Sequence, residues 1–427
     1  MKILLIHYRF FITGGPERYL FNLKSSLEKR GHTVIPFSVK TSKNIISEYE
    51  NFFAENIGKC DEVYVEKYPK KIRTYCDLIS REFYSYHVRK RLLKLIKKEQ
   101  PDICYLLVYK RALSPSVIDA CYKMNIPIIN RLSDYNAICA SAHLYRNGKA
   151  CEKCVGTSKI YCLKFRCLKG SFIFSLMRFL SIYLHKTLRI ENKISKFICT
   201  NEFMMKQMIK DGYDKNKLEL LPTFFHETAA TIRQRKPNII SDKILFLFIG
   251  TMDEKKGIYD LLQALSLLKN TNDNFILDII GGVNNDENEK VLKLVADFGL
   301  KEYIHFKPFQ TDGNVFDYYL NANVTIIPCR WYENLPNTLI ESIYFQRPVV
   351  VPDFASFKYS VDHSVSFKYK ALNVESLYNI LNKILSSPEL IIEKSNNCKS
   401  FYEKNFSENE HLDKLTDLFE STIKDIK

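Results

Sequence analysis

Short apolar runs of strand length alternate with amphipathic segments along the first half of the chain. The runs are rich in branched and aromatic residues, as expected of strands that are buried on both faces. The segments at 16–29 and 114–124 repeat their apolar positions at helical spacing. This alternation is typical of a parallel sheet covered by helices. The predicted strands of this half are residues 2–7, 33–38, 102–107, 127–132, 196–200 and 218–222.

A polar stretch at residues 226–242 interrupts the pattern, and we interpret it as a linker between two domains. The alternation then resumes, so the expected fold class is α/β, with doubly wound parallel-sheet domains at residues 1–225 and 240–405. Ligands of such sheets bind outside the carboxyl ends of the strands, which predicts a cleft between the domains. The predicted strands here are 244–250, 275–282, 303–307, 324–328 and 348–353, and the helices are 258–269, 287–298, 337–345, 374–385 and 409–426.

Positive charge is concentrated in the predicted first domain. The chain has 427 residues and a net charge of +15, but residues 1–225 hold 40 Lys and Arg against 20 Asp and Glu, and the remainder holds 23 against 28. A basic amphipathic helix at 89–98 is either a solvated face or a surface for anionic lipid headgroups or a phosphate-bearing acceptor. Nucleic acid is not an expected partner, because we find no helix-turn-helix pattern or basic stretch interleaved with aromatic residues.

The most apolar segment, residues 172–184, is too short for a membrane span, which needs roughly 18 apolar residues or more. Arg178 also interrupts it. Ser171, Ser175, Arg178, Ser181 and His185 fall on one narrow helical stripe, and the rest of the segment is apolar. This pattern predicts either a core helix or a helix that lies in a membrane interface.

The chain shows no secretory signal, because its first apolar run is strand-like and leads into a glycine-containing loop. Twelve cysteines without an export signal indicate reduced thiols. Together with the basic first domain, these features predict a cytoplasmic protein that is peripheral on the inner face of the cell membrane.

Two glutamates separated by seven residues, Glu333 and Glu341, are the strongest chemical signal in the chain. Glu333 precedes a Pro-Asn pair that is typical of a loop entering a helix, and Glu341 lies about one turn into that helix. Free amides at a helix N-terminus bind phosphate, whereas carboxylates accept hydrogen bonds from hydroxyl groups. A site that combines the two suits a nucleotide sugar.

The Glu333-x7-Glu341 arrangement resembles the E-x7-E signature of family-4 retaining glycosyltransferases, which have the GT-B fold. The resemblance implies two Rossmann-like domains, a terminal helix at 406–427 that crosses back to the first domain, and sugar transfer without a catalytic metal. Further segments match that family in order over more than 300 residues. They are Gly14-Gly15-Pro16-Glu17-Arg18, Gly250 with Lys256-Gly257, Ala322-Asn323-Val324, and Pro348-Val349-Val350.

The resemblance also implies how the second domain holds a donor. The amide of Gly15 would face the donor diphosphate, and Lys256 would place a positive charge on that diphosphate as it leaves. Glu341 would accept hydrogen bonds from the ribose, and Glu333 would contact the transferred sugar. The implied donor-binding residues are Gly14, Gly15, Gly250, Thr251, Lys256, Arg330, Asn337, Thr338 and Glu341.

Two positions depart from the family pattern. Thr251 stands where the family usually has an arginine, and Arg330 is the candidate replacement. Ser133 takes the place of a histidine that many members carry before an aspartate. Because serine is not a base near neutral pH without help, the departing phosphate is the expected proton acceptor. Asp134 is then the candidate orienting group. The candidate catalytic residues that the resemblance implies are thus Glu333, Lys256, Asp134 and Ser133.

Five cysteines follow directly after this region. Cys151-x2-Cys154 has the spacing of a metal knuckle. A subset of the family has cysteines that match Cys139, Cys151, Cys154 and Cys167, and four thiolates suit a closed, tetrahedral structural zinc site. Cys162 is an alternative fourth ligand, and unconnected free thiols in a loop are the alternative to zinc. We place this Cys-rich insertion at about residues 136–170.

The sequence therefore favours a membrane-peripheral retaining glycosyltransferase. It would transfer a sugar from a nucleotide-sugar donor to a glycan or lipid-linked acceptor, as in the synthesis of cell-surface polysaccharide. No cofactor is expected for catalysis, and zinc is expected only as a structural ion. The alternative is a catalytically silent, zinc-stabilised scaffold of the same fold at the membrane.

Overall fold

The structure is a computed structural model that describes residues 1–62, 64–110, 112–228, 231, 238–240, 242–281, 285–307 and 315–425. Within these ranges the chain forms two six-stranded parallel sheets and one short antiparallel hairpin. The predicted fold class, two doubly wound parallel-sheet domains, is confirmed. Most of the predicted linker at 226–242 lies outside the described residues.

The N-terminal sheet has the strand order β2-β1-β3-β4-β7-β8. In its register Leu4 pairs with Ile35 on one side and with Cys104 on the other. These side chains are buried because helices cover both faces of the sheet. The strands, with the hairpin of β5 and β6, are β1 Lys2–His7, β2 Thr33–Phe37, β3 Ile103–Val108, β4 Ile128–Arg131, β5 Tyr145–Arg146, β6 Lys149–Ala150, β7 Lys196–Cys199 and β8 Leu218–Leu220.

Seven helices accompany these strands among the described residues. Each of the longer ones except α2 and α6 buries apolar side chains against the sheet or a neighbouring helix, and α3 buries Val88, Leu92 and Leu95 in this way. The buried side chains of α2 are Thr74 and Arg81. The helices are α1 Gly15–Lys29, α2 Ile72–Phe83, α3 Tyr86–Glu99, α4 Ser116–Lys123, α5 Tyr161–Lys164, α6 Phe172–Thr187 and α7 Glu202–Lys210.

The predicted core-helix alternative for 172–184 is wrong. The buried side chains of α6 are polar ones, Ser175, Arg178 and Ser181, and its apolar side faces outward. In the described part of the chain, no helix combines the length and the apolar content that crossing a membrane requires.

The C-terminal sheet has the strand order β11-β10-β9-β12-β13-β14. Its central strand β9 is nearly continuous in apolar residues and is covered by α8 on one face, with Phe246 and Leu262 in one cluster. The elements are β9 Ile244–Ile249, α8 Ile258–Leu268, β10 Phe275–Ile280, α9 Asn285–Asp297, β11 Ile304–Lys307, α10 Val315–Asn321, β12 Val324–Ile326, α11 Asn337–Tyr344, β13 Val349–Pro352, α12 Ala355–Ser360, β14 Ser366–Tyr369, α13 Val374–Ser386, α14 Glu389–Asn405 and α15 Glu408–Lys424.

The terminal helix α15 packs against the N-terminal domain. Leu412, Leu415 and Phe419 are buried in the same cluster as residues of β1 and β3. The His411 ring bonds to the Tyr19 hydroxyl through Nε2 (3.0 Å) and to the Pro222 carbonyl through Nδ1 (2.7 Å). The last helix thus connects the two domains by packing as well as by the chain itself.

Candidate active site

In each sheet the strand order reverses at one point. Several candidate residues lie in the segments that follow the strands on either side of that point. The order reverses between β1 and β3 in the first sheet and between β9 and β12 in the second. Loops after β1 and β9 carry Gly15 and Lys256, and the loop after β12 carries Glu333. Because carboxyl ends of parallel strands share one edge of a sheet, this geometry gathers these loops at the cleft.

An ion pair joins two of the predicted catalytic residues. Lys256 Nζ lies 2.6 Å from Glu333 Oε2. The same carboxylate oxygen accepts a hydrogen bond from Trp331 Nε1 at 2.8 Å. Burial favours the neutral amine, but attraction to Glu333 and nearby groups outweighs burial and holds the pKa of Lys256 above its ordinary value. Lys256 is therefore a fixed cation at neutral pH.

The position of Lys256 depends on a tightly packed glycine. Gly257 has φ +76, and a Cβ on it would lie 1.8 Å from the Pro328 carbonyl oxygen. Only glycine therefore lets the loop after β9 approach the loop after β12 this closely. Asp253 Oδ1 caps the turn by accepting from the Lys256 amide at 2.9 Å. These local features bring the lysine to a glutamate 77 residues away.

Thr251 and Arg330 both have partners within the protein. Thr251 Oγ1 donates to Asp253 Oδ2 at 2.8 Å. The Arg330 guanidinium lies 3.4 Å from Asp260 Oδ1 and 3.6 Å from Glu254 Oε1. Arg330 would have to leave these carboxylates, or share its charge with them, to contact a phosphate. Gly250 directly follows β9 and precedes Thr251.

Glu341 links the two domains. It is 5% exposed, its Oε1 lies 2.9 Å from Arg18 NH1 of α1, and its Oε2 accepts from the Tyr319 hydroxyl at 2.7 Å. A carboxylate offers about four lone-pair sites, so it retains acceptor capacity for a ribose hydroxyl. Neither Arg18 nor Tyr319 was among the predicted site residues. In the sequence, the one feature that could have indicated Arg18 is its position as a cation in the first turn of the helix that follows the Gly-Gly loop.

The N-terminus of α11 faces the Gly-Gly loop of the other domain. A Cβ on Gly15 would lie 3.3 Å from Nδ2 of the Asn337 side chain, so glycine permits this approach. Thr338 follows in the first turn of the helix, where backbone amides are free to bind an anion. Next to them is a cavity of about 210 Å³ between the domains, lined by Arg18, Asn337, Glu341 and aromatic residues such as Phe316.

Ser133 and Asp134 lie beyond the end of β4. Arg131 NH1 donates to Ser133 Oγ at 3.0 Å, so the serine oxygen faces a cation, which is the wrong environment for a base. Asp134 Oδ1 accepts from the Asn136 amide at 2.8 Å and thereby stabilises its own turn. Both residues line a small pocket together with Lys110.

The neighbouring Tyr135 was not predicted. Its hydroxyl is buried and has no hydrogen-bond partner among the described residues. Burial raises the pKa of Tyr135 well above its usual range, and the negative charge of Glu333 adds to the effect. A buried hydroxyl without a partner, next to Ser133 and Asp134 in the chain, is a candidate site group that sequence reasoning missed.

All five predicted cysteines line one cavity, namely Cys139, Cys151, Cys154, Cys162 and Cys167. Burial raises the pKa of Cys154 to about 12 and that of Cys167 to about 11, so both are neutral thiols in the metal-free protein. Across the described ranges, no three His, Cys, Asp or Glu side chains are arranged to hold a metal ion. The zinc site therefore stays a prediction.

The Cys-rich insertion contacts the C-terminal domain beside the catalytic pair. The Tyr332 hydroxyl donates to Glu152 Oε1 at 2.9 Å. The His143 ring lies 5.3 Å, centroid to centroid, from the Trp331 indole. Because Trp331 and Tyr332 directly precede Glu333, the insertion contacts the loop that carries this candidate catalytic residue.

Comparison with known proteins finds a family match in the C-terminal domain. Residues 230–404 match the family model described as glycosyl transferases group 1. An uncharacterized glycosyltransferase of Methanocaldococcus jannaschii is 26% identical over 145 residues. That match spans 33% of this chain and only 34% of the relative.

Solved structures resemble this chain along almost its whole length. A glycosyltransferase of Rickettsia africae gives a TM-score of 0.67 at 18% identity, over 99% of this chain and 98% of that one. Anabaena HepE, crystallised with UDP-glucose, gives a TM-score of 0.63 at 12% identity, over 99% and 100%. At these identities the likeness shows the fold, which is GT-B.

Proposed function

We propose that this chain, whose C-terminal domain is of the glycosyl transferase group 1 family, is a retaining glycosyltransferase. It would move a sugar from a nucleotide-sugar donor to a glycan or lipid-linked acceptor in the synthesis of a surface polysaccharide. The observation that carries the proposal is the Lys256–Glu333 pair at the strand ends, 2.6 Å apart and close to the free amides of α11.

Donor binding would use both domains. The nucleoside would occupy the interdomain cavity, with its ribose hydroxyls on Glu341. The diphosphate would lie between the Gly15 amide and the N-terminus of α11, where Asn337 and Thr338 offer amides. Arg18 would then shield Glu341 from the phosphate charge while holding the domains together.

Lys256 would supply most of the electrostatic stabilisation of the leaving phosphate. Negative charge grows on the phosphate oxygen as the bond to the sugar breaks, and a preorganised cation stabilises that charge without reorganising. One such group is typically worth roughly 3–4 kcal/mol of barrier. Glu333 keeps Lys256 charged and would bind hydroxyls of the sugar through its remaining acceptor sites.

Proton removal from the acceptor would fall to the departing phosphate. Ser133 faces Arg131 and Asp134 is used in its own turn, so neither is placed as a strong base. Transfer on the face that the leaving group occupies retains the anomeric configuration. An NMR assignment of the product's anomeric configuration tests this part, and inversion would contradict it.

The activity itself is tested by a screen of nucleotide sugars for donor hydrolysis and transfer. Uridine donors come first, because the structural relative HepE was crystallised with UDP-glucose. We expect turnover with one donor, lost in Glu333→Ala and kept in Glu403→Ala, which removes an exposed glutamate of α14. A protein that neither turns over nor is stabilised by any nucleoside diphosphate would be the silent scaffold instead.

A further inference from the structure

The orientation of α6 is fixed by polar contacts on its inner side. Arg178 NH1 lies 3.0 Å from Glu82 Oε1 of α2, and the Ser181 hydroxyl donates to the same oxygen at 2.5 Å. The His185 ring bonds to the Phe83 carbonyl at 2.7 Å. Rotating α6 to bury its apolar side would separate Arg178 from Glu82, and leaving a buried charge without its partner is costly. The outward direction of the apolar side is therefore specified by the fold.

The result is an exposed apolar side on α6, and its neighbour α2 carries exposed apolar residues as well. On α6, Phe172 is 52% exposed, Ile173 68%, Leu180 48% and Tyr183 40%. On the neighbouring α2, Ile72 is 84% and Ile79 48% exposed. We call these six side chains the apolar face. The four on α6 lie on one side of a single helix, opposite its buried polar residues, and such a grouping of exposed hydrophobic residues marks an interaction site.

Exposed cations flank the two helices of the apolar face along the chain. The segment 160–190 contains no Asp or Glu. Glu66 pairs with Lys169 at 2.6 Å, and Asp77 lies 3.9 Å from Arg73, so two cations are partly neutralised. The exposed cations that form this rim are Lys70, Lys71 and Arg73 near the start of α2, and Lys164, Arg166 and Lys169 before α6.

We propose that the apolar face and its cationic rim dock the N-terminal domain onto an anionic lipid bilayer. The apolar side chains enter the interfacial region while the cations meet the headgroup charges. A lipid surface complements both features at once. A second copy of this chain would set the same cations against each other, and like charges across an interface oppose association.

This docking surface adjoins the candidate acceptor side. Tyr183 and Lys186 of α6 also line a cavity of about 860 Å³. Lys110 lines that cavity and the smaller pocket that holds Ser133 and Asp134. A lipid-borne acceptor would therefore have a short path from the bilayer to the catalytic cleft. The docking itself does not depend on glycosyl transfer, so the two proposals fail separately.

The test is flotation of the purified full chain with vesicles of phosphatidylcholine, with and without phosphatidylglycerol. We expect flotation with the anionic vesicles, weakened by about 0.5 M NaCl. Ile173→Glu/Leu180→Glu should reduce the bound fraction roughly tenfold or more, because it removes two apolar anchors. Lys164→Gln/Arg166→Gln should weaken binding to anionic vesicles only.

The matched control is Leu267→Glu/Leu292→Glu, which alters two side chains of the C-terminal domain that are 46% and 52% exposed. It should float like the wild type, and donor hydrolysis and melting temperature should be preserved in all three variants. No flotation of the wild type, or equal flotation of the Ile173→Glu/Leu180→Glu variant, would overturn the proposal. The proposal would also be overturned if sedimentation showed a wild-type dimer that the Ile173→Glu/Leu180→Glu variant dissociates while its flotation stays unchanged.

Discussion

Glu333 and Lys256 hold each other in place before any ligand arrives. The pair is 2.6 Å apart, and Trp331 fixes the carboxylate from a second direction. A bound donor would therefore meet a cation whose position needs little rearrangement, which is the condition under which electrostatic stabilisation is most effective.

Replacing that cation tests its role. Lys256→Gln should lower turnover by roughly 10²–10³-fold, the usual cost of one transition-state donor. Steady-state kinetics with the donor found in the screen would measure it. Lys255→Gln is the control, because it changes the adjacent lysine but not the one on Glu333. Equal losses in both variants would mean that the loop charge as a whole matters, and not the ion pair.

Replacing Glu341 should change the affinity for the nucleotide. Glu341→Gln should weaken binding of the nucleoside diphosphate by about tenfold or more, since hydrogen bonds to charged groups contribute about 1.5–3 kcal/mol. Calorimetric titration would measure the change, with Glu375→Gln of α13 as a control in the same domain. An unchanged affinity would remove Glu341 from the ribose site.

At the scale of elements, the parallel strands were the most predictable part. Residues 2–7 form β1 as expected, because burial on both faces gives a continuous apolar run that few other structures produce. Strand β14 and helix α10 were missed. So were the helices α12 and α14. The first is only six residues long, and the second buries Ser395 and Cys398 in place of larger apolar residues, which weakens its periodicity.

The site was predictable only in part. Glu333 and Lys256 stand at recognisable positions in loops and Glu341 stands in α11, and the structure brings Glu333 and Lys256 together. The partners Arg18 and Tyr319 were missed because their contacts join residues 323 and 22 positions from Glu341. Such contacts depend on how two domains and two helices pack, which linear spacing does not encode.

The Cys-rich insertion gives a prediction at the same scale. Purified protein should contain about one zinc ion per chain, and Cys154→Ser should lose it, because four thiolates are needed to close a tetrahedral site. Elemental analysis measures the metal, and Cys76→Ser, which alters an exposed cysteine of α2, is the control. Metal-free wild-type protein with full activity and stability would end the zinc proposal.

At the scale of the whole molecule, the domains are joined by α15 as well as by the active site. His411 lies at this junction, and burial lowers its pKa to about 3. Burial likewise lowers the pKa of His7 to about 4 at the end of β1. Both rings are therefore neutral in the folded protein at pH values where the unfolded chain is already protonated.

This difference predicts acid sensitivity. The unfolded chain binds protons below its pKa of about 6.5 while the folded chain does not, so stability falls as pH decreases from 6.5 towards the folded pKa. Each ring costs about 1.4 kcal/mol between pH 7.5 and 5.5. In urea unfolding, His411→Gln should therefore lose less stability over this interval than the wild type. His363→Gln, at an exposed position, should behave like the wild type.

The most direct test of the account is a crystal structure of the protein with the nucleotide sugar that the screen identifies. We expect the ribose on Glu341, the diphosphate on Lys256 and the Gly15 amide, and the sugar on Glu333. An occupied cleft in which these side chains point away from the ligand, or a ligand bound elsewhere, would contradict it.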